Sequence, residues 1–249
     1  MKETDKEAAL KIVALGLGKI VHNYTENALL INSCFIAADR YRTLTKTNGL
    51  STTASIPPDL RLDHEVDVQY TNTQLVKAYS IDVQNIVFQN YIIASVSIVD
   101  ATLEDLYEHL IKVYNPSITE VELEKQIRNA WTNDSLLKFF TDADKVGLRK
   151  PSDKETSFSE AFLRYQELRI IRHTLLHTNG KLSDKNLKKL EDSLLNTPAE
   201  RKHFALINSP LLNKDRNVTL SINTILSIRQ YLDRFLMFIF QSIKEKQPV

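Results

Sequence analysis

Residues 169–180 read Arg-Ile-Ile-Arg-His-Thr-Leu-Leu-His-Thr-Asn-Gly and bring Arg172, His173 and His177 into one short stretch. Arginine stays cationic and forks onto phosphate oxygens. Histidine is the side chain best able to give and take protons near neutral pH. The two types together suit chemistry at a phosphate, with one group neutralising charge and the other moving a proton.

The element that must position them is a helix. Phe158, Ala161, Phe162, Tyr165, Leu168, Ile171 and Leu175 recur at helical spacing and predict an amphipathic helix over 158–178. Ser157 or Ser159 caps its start, and Gly180, preceded by Asn179, is its C-terminal stop. Glu167 and Arg164 are expected to face outward or toward a partner. At about 100° per residue, Arg172 and His177 fall roughly 140° apart around the axis. One helix alone does not press them together; a cleft that wraps the helix end, or a second copy of it, would. His173 and His177 share one face, as in zinc sites. Position 174 is Thr rather than the Glu of His-Glu-x-x-His, and no third ligand is evident, so no metal and no other cofactor is expected.

The stretch resembles the Arg-x4–6-His motif of HEPN-family domains. Here it reads Arg172-His-Thr-Leu-Leu-His177, with a polar residue directly after the arginine and Asn-Gly just beyond. The resemblance covers roughly residues 74–245, through the order long helix, connection, Arg-His helix, short capped helix, final apolar helix. It implies an all-α, up-and-down bundle with a HEPN-like four-helix core over 74–249. Residues 1–73 are then an extra N-terminal helical segment and loop packed on that bundle. It also implies a homodimer through the motif helices and a metal-independent endoribonuclease. His177 would be general base or acid, Arg172 would bind the scissile phosphate, and His173 would hold phosphate or share proton transfer. Asn179, Arg169 and Lys181 would contact substrate, with Asp100 and Glu104 as supporting polar groups. The products would be a 2′,3′-cyclic phosphate and a 5′-hydroxyl. RNA is the implied partner, with an antitoxin or regulatory protein beside it, in defence or toxin-like RNA restriction. The alternative within the family is a non-catalytic dimeric module that binds RNA or protein. Several HEPN families carry Tyr two residues after the His and work with a nucleotidyltransferase; Asn179 stands there, so that regulation is not implied.

Composition narrows the class. Five glycines and seven prolines in 249 residues argue for long helices. Thirty-two Lys and Arg against 31 Asp and Glu leave no bulk basic charge, so any phosphate site must be local. Arg164, Arg169, Arg172, Lys181, Lys185, Lys188 and Lys189 supply such a concentration. The single Cys34 excludes an internal disulfide and reads as a buried small hydrophobe. The charged start and short apolar runs predict no membrane span and a cytoplasmic protein.

In chain order, residues 5–46 read as helix in two pieces with a break near Asn23, and Gly16 and Gly18 either weaken it or admit a close neighbour. A stripe of Leu10, Val13, Leu17, Ile20, Val21 and Tyr24 continues through Ala28, Ile31, Phe35 and Ala38. Residues 47–73, with Asn48-Gly49 and Pro57-Pro58, read as turns and one short strand at Val66, Val68 and Tyr70. His22 reads as a surface residue and His64 as exposed loop charge. Residues 74–113 form a long apolar helix. Thr119 and Glu122 form a capping box. A short helix runs from Asp134 to Thr141, and Trp131 reads as packing. Ser183 caps a helix to about Leu195, Pro198 opens a short one, and a final helix runs from Thr219 or Ser221 to about residue 245.

Overall fold

The computed structural model describes residues 1–45 and 50–247. The predicted Asn48-Gly49 turn lies outside the described residues. The protein is all-α, with 69% helix, 3% strand and eight α-helices among the described residues.

Contacts divide the chain into two units, 1–24 with 91–249 and 25–90. Their borders fall inside two long helices, α1 (Glu3–Thr43) and α3 (Val83–Tyr114), rather than at residue 73. In the smaller unit, strands β1 (Leu50–Ser51) and β2 (Gln69–Tyr70) pair antiparallel, Leu50 with Tyr70 and Ser51 with Gln69. The expected strand is therefore only two residues long. The hydroxyls of Ser51 and Thr53 donate to the Asp67 carboxylate and hold its pKa below the ordinary value. The short helix α2 (Asn72–Lys77) passes through a π-helical turn (Ala78–Asp82) into α3. Tyr79 on that turn stacks on Tyr41 with centroids 5.9 Å apart.

The larger unit is a helical bundle. α1 is unbroken, which corrects the two-piece expectation. Asn23 Nδ2 donates to Ser95 Oγ at 2.8 Å, so the side chain expected to interrupt the helix binds α3. Asn23 against Ser95, Gly16 against Thr102 and the Asp5 carbonyl against His109 define an antiparallel pair. Ala9, Val13 and Ile20 are buried along it, so the start of α1 is built into the core. Val21 and Phe35, placed on the stripe by periodicity, are exposed.

Short helices α4 (Glu120–Arg128) and α5 (Ser135–Thr141) connect α3 to α6 (Phe158–His177). α7 (Asp184–Leu195) and α8 (Ile222–Glu245) complete the unit. α6 and α8 run antiparallel through aromatic pairs: Phe158 with Phe238 at 4.9 Å and Phe162 with Phe235 at 5.3 Å. Tyr165 stacks on Phe235 at 4.7 Å. Every apolar residue assigned to the inner face of α6 is buried. Capping boxes start α4 at Thr119, α6 at Ser157 and α8 at Ser221, and Ser183 caps α7. Each satisfies backbone N–H groups that the first turn leaves free.

Among the described residues one helical stretch, Asn72–Tyr114, is long and apolar enough to cross a membrane, with a mean hydropathy of 1.5 over its most apolar window. Of that window 56% is buried within the protein, as in a core helix.

Candidate active site at the end of α6

α6 stops where the sequence places the stop. Thr178 is the C-cap, and its N–H and that of Gly180 both donate to the Thr174 carbonyl, at 3.1 and 3.2 Å. Asn179 (φ +49°) and Gly180 (φ +83°) turn through the left-handed region, which asparagine tolerates and glycine enters freely. The outgoing chain is then tied down: Val218 N–H donates to the Gly180 carbonyl at 2.8 Å and Leu182 N–H to the Arg216 carbonyl at 3.0 Å. Lys181 bridges Asn217 through the backbone. Asn179 and Lys181 are both exposed, and Asn179 also serves the backbone turn.

Two clusters leave this end of α6 on different sides. Toward α3, Asp100 is almost buried and takes three partners. Tyr165 OH donates to it at 2.7 Å, Arg169 Nε lies 2.9 Å away and Arg172 donates at 3.4 Å. Tyr165 also donates to the Val96 carbonyl, and burial, with the Asp100 charge next, pushes its pKa well above the ordinary value. Arg169 lies over the Trp131 ring at 3.8 Å, a cation–π contact. Trp131 Nε1 in turn donates to Glu104 at 2.6 Å. Asp100 thus meets the motif helix directly, whereas Glu104 reaches it through Trp131. Arg169 meets Asp100 at its Nε edge and Trp131 on one face. Arg172 keeps a side chain 31% exposed, and neither its Nε nor that of Arg169 has a hydrogen-bond acceptor among the described residues, so the Arg169 contact with Asp100 is an ion pair without a hydrogen bond.

On the other side, His173 and His177 are exposed with ring centroids 4.5 Å apart. Partial burial lowers the His173 pKa first, and the charges of His177, Lys189, Arg172 and Lys185 lower it further. Of the basic residues that the sequence concentrates here, Arg172, Lys185 and Lys189 act on His173, whereas Arg164 is buried against Glu167 and Arg169 pairs with Asp100. Among the described residues, no group of three or more His, Cys, Asp or Glu side chains is placed to hold a metal ion.

Arg164 and Glu167 correct the expectation that they face outward. Their side chains are 14% and 2% exposed and 2.8 Å apart. Glu167 accepts from Ser193 Oγ at 2.6 Å and from Leu206 N–H at 3.0 Å, and Arg164 also donates to Thr197. α7 and the turn at Leu206–Asn208 cover this face of α6, and a buried carboxylate needs every such partner. Tyr165 and Trp131 are the members of the site environment that sequence reading left in the core. The only signal was chemical: a packed Tyr or Trp still requires a partner for its polar tip.

Two clefts lie elsewhere, one of about 810 Å³ between the end of α3 and α4–α5, the other of about 440 Å³ around Trp131 and the start of α6. Neither is lined by Arg172, His173 or His177. His173 and His177 are exposed to solvent on the α6 surface.

No family model, curated protein or solved structure matches the chain.

Proposed function

We propose that the protein is a HEPN-like, metal-independent endoribonuclease, acting as a cytoplasmic homodimer in RNA restriction with an antitoxin or another regulatory protein as its control. The observation that carries this reading is the exposed His173–His177 pair at the end of α6, with Lys185 and Lys189 of α7 within electrostatic reach of His173. RNA brings its own nucleophile, the 2′-hydroxyl. The protein has to remove that proton, return one to the 5′-oxygen leaving group and stabilise charge on phosphorus. His177 exchanges the proton, Arg172 holds the scissile phosphate, and His173, whose lowered pKa favours the neutral ring, shares proton transfer. Attack breaks the phosphorus–5′-oxygen bond and leaves a 2′,3′-cyclic phosphate and a 5′-hydroxyl. Two-fold pairing of α6 brings two copies of these residues into one cleft, which answers the separation of Arg172 and His177 around the helix.

The test is cleavage of RNA in EDTA by the wild type and by His177→Ala. Cleavage by the wild type alone, with cyclic-phosphate ends, supports the reading; full activity in His177→Ala sinks the mechanism. A second reading, a non-catalytic dimeric module that binds RNA or protein, is favoured by the way Asp100 holds Arg172. An arginine engaged by an internal carboxylate has less charge to offer a phosphate.

A further inference from the structure

The patch beside His173 has a geometry of its own. α6 and α7 run antiparallel, pinned by Ser193 Oγ on Glu167 and by Asn186 Nδ2 on Thr174 Oγ1 at 3.4 Å. Asn186 and Thr174 are neighbours in sequence of Lys185 and His173, so this contact sets the lysine and the imidazole at the same level of the helix pair. His173 and His177 are four residues apart on α6; Lys185 and Lys189 are four apart on α7. Each pair therefore occupies one face of its helix. All four side chains are exposed, and both lysines lie within electrostatic reach of His173.

This arrangement works against local stability. Like charges four residues apart on a helix repel. Lys185 also sits in the first turn of α7, the end whose dipole disfavours a cation. The nearby carboxylates do not compensate: Asp184 pairs with Arg216 at 2.9 Å, and Asp192 forms no ion pair with either lysine among the described residues. A polyanion laid along the α6–α7 seam relieves that repulsion.

We infer that Lys185 and Lys189 form a phosphate-binding rail that holds single-stranded RNA alongside the His173–His177 face. The inference rests on the ribonuclease reading for its substrate. In it the lysines are positioning residues: they grip the backbone beside the scissile phosphate and take no part in proton transfer. Because they contact phosphate and not bases, they confer affinity without sequence preference. Two pairs of exposed side chains, each running along its own helix, fit an extended strand.

The experiment uses the full chain and two probes. Binding is measured by fluorescence anisotropy with 2′-O-methyl oligouridylate, which lacks the nucleophile and cannot be cleaved. Cleavage is measured with unmodified oligouridylate. Lys185→Ala/Lys189→Ala is expected to weaken binding about tenfold and to flatten the plot of log affinity against log salt by about 1.4, the contribution of two single-strand phosphate contacts. KM should rise by more than kcat falls, any change in kcat coming from the loss of the two charges that act on His173. Lys185→Arg/Lys189→Arg, which keeps the charge, should retain affinity. Unchanged affinity and salt slope in the alanine variant overturn the rail, whatever the nuclease does. Equal binding of polyglutamate overturns its assignment to RNA. Failure of the wild type to cleave RNA while the salt slope still falls in the variant defeats the nuclease reading and leaves the rail standing.

Discussion

Asp100 on α3 and Arg172 on α6 are 3.4 Å apart, and the same carboxylate holds Arg169 at 2.9 Å. Two cations thus share one almost buried anion, with Tyr165 donating to it as well. The carboxylate offsets one positive charge and leaves an excess of one at the end of the motif helix. Arg169 is the closer of the two and also lies over the Trp131 ring, although only Arg172 hydrogen-bonds the carboxylate. Arg172, longer in its contact and more exposed, is the one with charge available to a ligand.

That asymmetry yields a comparison. Asp100→Asn strands both arginines and should cost about 2 kcal/mol, below the cost of breaking a fully buried pair because both guanidiniums reach solvent. For a chain of this size that lowers Tm by roughly 4–8 °C. Arg172→Ala leaves Arg169 on Asp100 and should lower Tm by less than half as much. Thermal melts of the two variants decide the matter. An Arg172→Ala loss equal to that of Asp100→Asn would mean that Arg172 is there to build the bundle, and the second functional reading would take precedence.

His173 reports on His177. Burial lowers the His173 pKa from its ordinary 6.5, and the His177 charge comes next among the causes. In His177→Ala the His173 pKa should therefore move up, toward 6.5. A folded-state pKa below the unfolded one means the unfolded chain binds the proton more readily. His173 thus favours folding fully above pH 6.5, and this contribution is lost as pH falls through its lowered pKa. An NMR titration of the His173 ring in both proteins tests the coupling. An unmoved midpoint would show that the two rings do not sense each other.

Much of this was legible before the structure, and what was not has a common cause. The stop of α6 at Asn179-Gly180 and the caps at Thr119, Ser157 and Ser183 are local chemistry, and they lie where their residue types require. The inner face of α6 followed from spacing alone. Asn23 failed as a break because its partner, Ser95, lies 72 residues away. Arg164 and Glu167 failed for the same reason: periodicity marks a polar position as outward, and only the later elements at Ser193 and Leu206 make it inward. At the site, the sequence supplied the types Arg172, His173 and His177. It could not say that Arg172 turns to α3 while His173 has lysines of α7 as its neighbours.

Glu167 makes a prediction opposite in sign to that of His173. Burial raises its pKa above the ordinary 4.5, outweighing Ser193, the Leu206 N–H and Arg164, which all favour the charged form. A raised folded-state pKa means the folded protein holds the proton more tightly. The Glu167 contribution is present in full below pH 4.5 and is lost as pH rises through the raised value. Glu167→Gln removes that titration, so stability measured by urea unfolding should change less between acid and neutral pH than in the wild type. An identical pH slope would show that the Glu167 pKa is the same in the folded and the unfolded chain. Glu167→Ala, which leaves Arg164 unpaired inside the protein, should cost about 3 kcal/mol.

The two glycines of α1 separate a packing role from a mere propensity defect. A Cβ on Gly16 would overlap Oγ1 and Cγ2 of Thr102, whose hydroxyl is already committed to the Ile98 carbonyl at 2.7 Å. A Cβ on Gly18 meets nothing within 4 Å. Gly16→Ala should therefore destabilise by about 1–3 kcal/mol, the cost of overpacking a filled contact. Gly18→Ala should stabilise by about 1 kcal/mol, because alanine loses less backbone freedom in a helix than glycine does. Chemical denaturation of the two single variants reads the difference directly. Equal effects of the same sign would place α1 farther from α3 at residue 16 than Thr102 allows, and would undo the antiparallel register on which the start of the bundle is built.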